Sequence, residues 1–167
     1  MIDGLREQFP NRAAFLDMTA TSELTKALLD ASDNGYNVEV GATATHPILF
    51  DSYDDHPRKE IWLPHLGVYS SAAGRYQIKI SIFDFYKVRL NLPDFSPDSQ
   101  DAIALRLIRE CHALEEIDAG NVCSAIMLCA SRWASFPTSS YGQHEQTFGT
   151  LKAAFVASGG KLLQSEA

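Results

Sequence analysis

The sequence is short of cysteine, of basic runs and of long apolar stretches, and each shortage excludes a class of protein. Its three cysteines, Cys111, Cys123 and Cys129, form no Cys-x-x-Cys pair, and the spacing of the last two fits no common zinc site. Such sparse thiols read as buried groups in a chain that folds in a reducing compartment. The histidines at 46, 65, 112 and 144 lack ligand spacing, so neither a metal nor another cofactor is expected. No run of about eighteen apolar residues is present, which argues against membrane insertion. The first dozen residues include Asp3, Arg6, Glu7 and Arg12 and hold no signal-peptide core, so synthesis and folding are expected in the cytoplasm. No cluster of Lys and Arg appears, and the net charge is -7, which argues against nucleic acid as a partner. Repeats and low-complexity segments are also missing.

What remains is the composition of an ordinary globular chain, with 46% hydrophobic and 21% charged residues in 167, enough for one domain with one core. Its organising stretch is Ala14 to Glu23, where Phe15, Leu16 and Met18 recur at helical spacing and run into a single carboxylate. A helix of about three turns would hold Glu23 on a rigid support. Packed apolar surface disfavours a charged carboxylate, so the pKa of Glu23 is expected to rise toward the operating pH, as a general acid requires.

The chain reads in order as follows. Met1 to Asn11 is a polar lead-in, with Pro10 and Asn11 preceding the first helix. After Glu23, Leu24 to Ala31 is again helical, and Ser32 to Gly35 has turn chemistry. Tyr36 to Gly41 alternates like a half-buried strand, a second strand is expected near Pro47 to Phe50, and the stretch from Tyr36 to His65 reads as a loop-rich β lobe. His56, Arg58 and Lys59 read as a solvated turn within it. Ile78 to Leu90 is helical, with Tyr76 and Gln77 just before its start. Ser96 and Pro97 announce the next helix, whose expected apolar face is Ala102, Leu105 and Ile108. Helices at Cys111 to Ala119 and Asn121 to Ala130 flank Gly120, Trp133 is assigned to the core, and a last helix spans Gln143 to Ser158. The sum is an α+β protein, mostly helical, with a small strand insertion.

The strings AFLDMTATSE, GYNVEVG, DDHPRK, AAGRYQI, DFSPDSQDAIAL and RWASFP with the following YGQ occur in an order that resembles the lambda-type endolysins. The resemblance covers the chain from about Ala14 to Gly160. It implies a lysozyme-like fold, a single domain over 1-167 in which a helical lobe and the small β lobe at about 36-65 flank a substrate cleft. It also implies an activity: lytic transglycosylation of peptidoglycan, with cleavage between N-acetylmuramic acid and N-acetylglucosamine and formation of 1,6-anhydromuramic acid. The family's essential glutamate falls on Glu23. Because the C6 hydroxyl of the sugar replaces water as nucleophile, one carboxylate can act as acid and then as base, where hydrolytic glycosidases usually need two.

By the same resemblance Tyr76 and Gln77, and Tyr141 and Gln143, are the expected substrate-binding residues. The implied partners are peptidoglycan glycan strands, with a holin releasing the enzyme from the host cytoplasm to the periplasm without direct contact, and a monomer is expected. Two departures stand out: Asn37 where the family has an aspartate, and Leu24 where it favours glycine. Two alternatives remain open at this point. One is a hydrolytic lysozyme with Glu23 as acid and Asp51, Asp54 or Asp55 as base; the other is a relative that binds glycan without cutting it.

Overall fold

The structure, a computed structural model, describes residues 2–64, 66–139 and 145–166. Among these the chain forms seven α-helices, a two-stranded antiparallel sheet and a final 3-10 turn, an α+β content as the periodicity predicts. It clusters into two compact units, one made of Met1–Ser22 with Ala104–Ala167 and the other of Glu23–Ile103.

The first unit is helical. Helix α1 (Ile2–Gln8) occupies the stretch read as a polar lead-in, and Pro10 opens α2 (Pro10–Asp30) instead of preceding it. Proline suits the first helical turn, where its missing N–H would have had no intrahelical partner. Helix α1 escaped the sequence reading because it has no apolar stripe; Arg6 ties it down from outside, donating to Asp17 Oδ2 at 2.7 Å and to the Ser158 carbonyl at 3.2 Å. In α2, Ala13, Ala14, Phe15, Leu16, Met18 and Ala20 are all fully buried, so the helix is covered all round rather than on one face.

Around it in this unit are the C-terminal half of α4 (Pro97–Glu110), then α5 (Leu114–Ala119), α6 (Val122–Cys129) and α7 (Phe148–Ala157). The buried residues of α4 here are Ala104, Leu107 and Ile108; of the expected face Ile108 is buried, whereas Ala102 and Leu105 are partly exposed. Phe136 meets Phe15 edge-on at 6.1 Å and Trp133 at 5.5 Å, and Trp133 is core, as expected. Gly120 ends α5 at φ 80°, and a Cβ there would lie 2.4 Å from the Lys161 carbonyl oxygen, so both conformation and space require glycine. Helix α7 starts at Phe148, capped by Thr147 Oγ1, which accepts from the Thr150 N–H at 3.1 Å.

The second unit begins at Glu23. Two residues on, Thr25 stands at φ 62° and ψ 149°, breaking α2 between the two helical stretches that the sequence indicates. The expected strand at Tyr36 to Gly41 is reduced to isolated bridges, Val38 with Leu49 and Glu39 with Ala73. The reason is visible in the backbone: the Glu39 N–H goes to Ile48 O at 2.9 Å and the Val40 N–H to Ala72 O at 3.0 Å. Consecutive donors thus serve two different segments, and no continuous ladder can form. Regular pairing occurs instead between β1 (Ile61–Leu63) and β2 (Val68–Ser70), with Trp62 opposite Tyr69. Helix α3 (Ile80–Arg89) starts two residues later than its apolar pattern, because Ile78 is held in a two-way backbone pairing with Ala73.

His56 corrects the reading of a solvated turn: it is 3% exposed and packs against Phe95 at 4.8 Å and Phe83 at 5.9 Å. Its Nδ1 accepts from the Arg58 N–H at 3.0 Å, so Nε2 carries the proton and donates to Ile78 O at 2.9 Å. Burial pushes its pKa below the ordinary 6.5. As pH falls through 6.5 the unfolded chain takes up a proton that folded His56 resists, so this residue's stabilisation is complete above that pH and is lost below it. The denaturant midpoint is expected to decline between pH 7 and 5, and His56→Gln is expected to flatten that decline; an unchanged slope in the variant would remove His56 from the account.

Candidate active site

Glu23 is half-buried, one turn from the fully buried Thr19 and Ala20 that anchor this part of α2. Thr19 and Thr21 return their hydroxyls to the carbonyls of Phe15 and Asp17, at 2.8 and 2.9 Å, so the turn before Glu23 is tied to its own helix. Ser22, its neighbour, donates to Ser135 Oγ at 2.6 Å. The strained Thr25 follows; a β-branched residue at positive φ persists only where its surroundings fix it, and such strain concentrates at functional sites. The carboxylate therefore stands at the last turn of a rigid, buried helix, immediately before a forced change of direction.

The turn carrying Tyr76 and Gln77 is closed by Gln77 N–H to Gly74 O at 3.1 Å, and Gln77 Nε2 also donates to Gly74 O, at 3.0 Å. Gln77 is partly exposed. Tyr76 is a correction: at 2% exposure its ring has no free face on which a sugar could stack. Its hydroxyl donates to Asp101 Oδ1 at 2.8 Å, and Tyr36 donates to the same oxygen at 2.9 Å. Beside them Gln100 Oε1 accepts from the Arg75 N–H at 2.9 Å, while Gln100 Nε2 donates to the carbonyls of Tyr36 and Phe95, each at 2.9 Å. Arg75 donates to Asn34 O and lies 5.2 Å from the Tyr36 ring centroid.

This network unites the GYNVEVG, AAGRYQI and DFSPDSQDAIAL strings, so those motifs encode a buried polar core of the second unit. Gly74 belongs to it: at φ 75°, a Cβ there would meet Gln100 Oε1 at 2.1 Å. Burial raises the pKa of Asp101 against the lowering effect of the two tyrosine hydrogen bonds, and burial beside Asp101 raises both tyrosines. Sequence reading missed the network because Gln100 and Asp101, polar residues in the first turns of a helix, look like a solvated N-terminus.

Tyr141 and Gln143 lie outside the described residues. On either side of them, Thr138 N–H and Ser139 Oγ bind Glu145, at 2.9 Å each, and Gln146 N–H returns to Ser135 O at 2.8 Å. Of the acids considered for a second catalytic role, Asp51 and Asp54 are exposed. Asp55 is bound by Arg58 Nε at 2.5 Å and Lys87 Nζ at 3.3 Å, and Arg58 in turn bridges to Asp84 at 2.6 Å. The hydrogen bond from Arg58, reinforced by Lys87, holds the Asp55 carboxyl down at about 2, so it is a firmly ionised structural partner. Glu39, which the sequence reading left as a strand residue, is 2% exposed; Lys59 Nζ lies 2.7 Å from Oε1, and Oε2 is buried without a hydrogen-bond partner. A cavity of about 590 Å³ in the first unit, lined in part by Phe9, Asn11, Asp118 and Leu163, includes none of the expected site residues.

Comparison with known proteins adds to this geometry. The family model described as Endolysin matches residues 13–162. The endolysin of Escherichia phage lambda is 46% identical over 151 residues, which cover 89% of this chain and 91% of that protein. The endolysin of Escherichia phage P2 is 42% identical over 154 residues, covering 90% and 93%. Among solved structures, bacteriophage lambda lysozyme complexed with a chitohexasaccharide matches with a TM-score of 0.84 at 43% identity, over 91% of this chain and 96% of that one. A second structure, lysozyme from bacteriophage lambda, matches with a TM-score of 0.79 at 42% identity over the same shares. The lysozyme-like α+β fold is thereby established, and the chain belongs to the endolysin family.

Proposed function

We propose that the protein cleaves the β-1,4 bond between N-acetylmuramic acid and N-acetylglucosamine in peptidoglycan by lytic transglycosylation, and so lyses the host cell at the end of a phage cycle. Peptidoglycan cleavage agrees with its family and with the chitohexasaccharide bound by the related lysozyme, an oligosaccharide that shares the β-1,4 linkage and the N-acetylglucosamine unit of peptidoglycan. The observation that carries the finer reading is the state of the acids that could supply a second catalytic carboxylate. The sequence candidates for that role are exposed, as Asp51 and Asp54 are, or locked in ion pairs, as Asp55 is.

Glu23 first donates its proton to the glycosidic oxygen as the bond to C1 breaks. The resulting carboxylate then accepts the proton of the C6 hydroxyl as that oxygen closes on C1. Gln77, partly exposed on its turn, binds an N-acetyl group of the substrate, and Tyr76 serves as a positioning residue that fixes the turn from below through Asp101. Tyr141 and Gln143 complete the proposed binding set. The enzyme waits in the host cytoplasm and crosses to the periplasm through a holin lesion, acting as a monomer without cofactor. No helix among the described residues is long and apolar enough to cross a membrane.

Mass spectrometry of fragments released from purified sacculi tests the reaction type. Fragments lighter by one water, with 1,6-anhydromuramic ends, are the expected product. Reducing ends would overturn transglycosylation and favour the hydrolytic reading, and no release at all would leave a glycan-binding protein.

A further inference from the structure

The turn that follows α2 carries an exposed asparagine, Asn34, whose side chain has no part in the proposed reaction. It is the only asparagine followed by glycine; Asn11, Asn37, Asn91 and Asn121 precede Arg, Val, Leu and Val. Asn34 stands at φ 47° and Gly35 at φ 86°, a left-handed conformation that the short side chain of one and the bare Cα of the other tolerate. Space as well as conformation requires the glycine, since a Cβ on Gly35 would meet Leu29 Cδ2 at 2.6 Å and Leu24 Cδ1 at 2.8 Å.

The peptide group that joins these two residues is held at both ends. Its N–H, on Gly35, donates to Ser32 Oγ at 3.0 Å, and the Ser32 hydroxyl in turn donates to Leu28 O at 2.7 Å, so a lone pair of Oγ faces Gly35. Its oxygen, on Asn34, accepts from the Arg75 guanidinium. A cation on the carbonyl oxygen stabilises the anion that forms when the peptide nitrogen loses its proton, because that charge is shared between nitrogen and oxygen. Ser32 Oγ gives the departing proton its first acceptor. The activated nitrogen then stands one five-membered ring from an electrophile, the side-chain carbon Cγ of Asn34.

We propose that Asn34 is a self-modification site, at which the folded chain converts the asparagine to aspartate and isoaspartate through a cyclic imide and so weakens the turn. In the first step the Gly35 nitrogen loses its proton and attacks Asn34 Cγ. The N–Cγ bond forms, the Cγ–Nδ2 bond breaks, and Nδ2 takes up a proton and leaves as ammonia. In the second step one water opens the imide. Attack at Cγ breaks the new bond and leaves an aspartate; attack at the main-chain carbonyl breaks the original peptide bond and leaves an isoaspartate, with the chain running through the side-chain carbons. One amide and one water thus give one carboxylic acid and one ammonia, with no change of oxidation state. The isoaspartyl link lengthens the main chain by one carbon inside a turn whose hydrogen bonds, Tyr36 N–H to Asp33 O at 2.8 Å and Gly35 N–H to Ser32 Oγ, need the native spacing. Asn37 in the same turn is set differently: its Oδ1 is engaged by the Asp33 N–H at 3.0 Å, and the β-branched Val38 follows it.

The test is incubation of the full chain at mildly alkaline pH, both native and unfolded in guanidinium chloride, followed by intact mass, peptide mapping and an isoaspartate assay. A gain of about 1 Da is expected, mapped to Asn34 before any other asparagine. The native rate is expected to exceed the unfolded rate about tenfold, the effect of one hydrogen bond to a charged group. A native rate at or below the unfolded one, or first conversion at another asparagine, would overturn the proposal. Ser32→Ala, which removes the acceptor of the Gly35 N–H, is expected to slow the native chain and leave the unfolded one unchanged; an undiminished native rate would exclude Ser32 from the step. The modified fraction, separated by its added negative charge, is expected to melt about 4 °C or more below the unmodified protein, and an equal Tm would overturn the weakening of the turn. None of these readouts requires glycan cleavage, so failure of the proposed function would leave the result intact.

Discussion

Glu23→Gln is expected to lower release of soluble fragments from purified sacculi by about a thousandfold or more, with little change in stability. A positioned general acid contributes typically 10²–10⁴-fold, and in the proposed reaction the same group also serves as the base for ring closure, so both halves would lose their proton carrier. The amide is close in shape to the carboxyl, and the half-buried site imposes no large packing cost on the exchange. Glu23→Asp shortens the reach by one methylene and is expected to fall between the two, since proton transfer requires heavy atoms within about 3 Å. The distinguishing readout is activity against folding: a loss of activity accompanied by a matching loss of thermal stability would indicate a structural glutamate, and unchanged activity would end the catalytic assignment.

Asp101→Ala is the complementary case, with its main effect on stability. The substitution leaves the Tyr36 and Tyr76 hydroxyls buried without their shared acceptor, 2.9 and 2.8 Å away in the native protein. It also opens a cavity at a residue that is 1% exposed. Removing one member of a buried charged hydrogen-bond set costs about 3–5 kcal/mol, a large fraction of a typical domain's stability. Tyr76→Phe, which removes a single donor, should cost about 1–2 kcal/mol. The two effects are not additive, because the hydrogen bond from Tyr76 is already lost in the Asp101 variant and cannot be lost a second time. Denaturant midpoints of the two single variants and the double variant check this; additive losses would mean that Tyr76 and Asp101 do not act as one unit.

The same network explains how Tyr76 could be singled out by sequence and yet be buried. A tyrosine and a glutamine before a helix have the chemistry of a sugar site, and sequence carries no information on which of the two faces outward. Tertiary packing decides: an Asp in the first turns of α4 needs donors once it is covered, and the hydroxyls of Tyr36 and Tyr76 supply them. Gln77 is left partly exposed. His56 follows the same logic, since a histidine among turn formers and charges looks solvated until Phe83, Phe95 and the Ile78 carbonyl close over it.

By itself the sequence determined the α+β content, the helix leading to Glu23, the start of α4 at Pro97, the end of α5 at Gly120 and the family. These follow from local periodicity, from residues whose backbone preferences act over one turn, and from strings that stand in family order. Only the tertiary structure decided that α1 is a helix, that the alternating stretch at Tyr36 to Gly41 splits its hydrogen bonds between two segments, and that three of the family strings form one buried polar network. In each case the deciding partner is distant in sequence, and the energy of a contact between distant residues leaves no periodic trace in either of them.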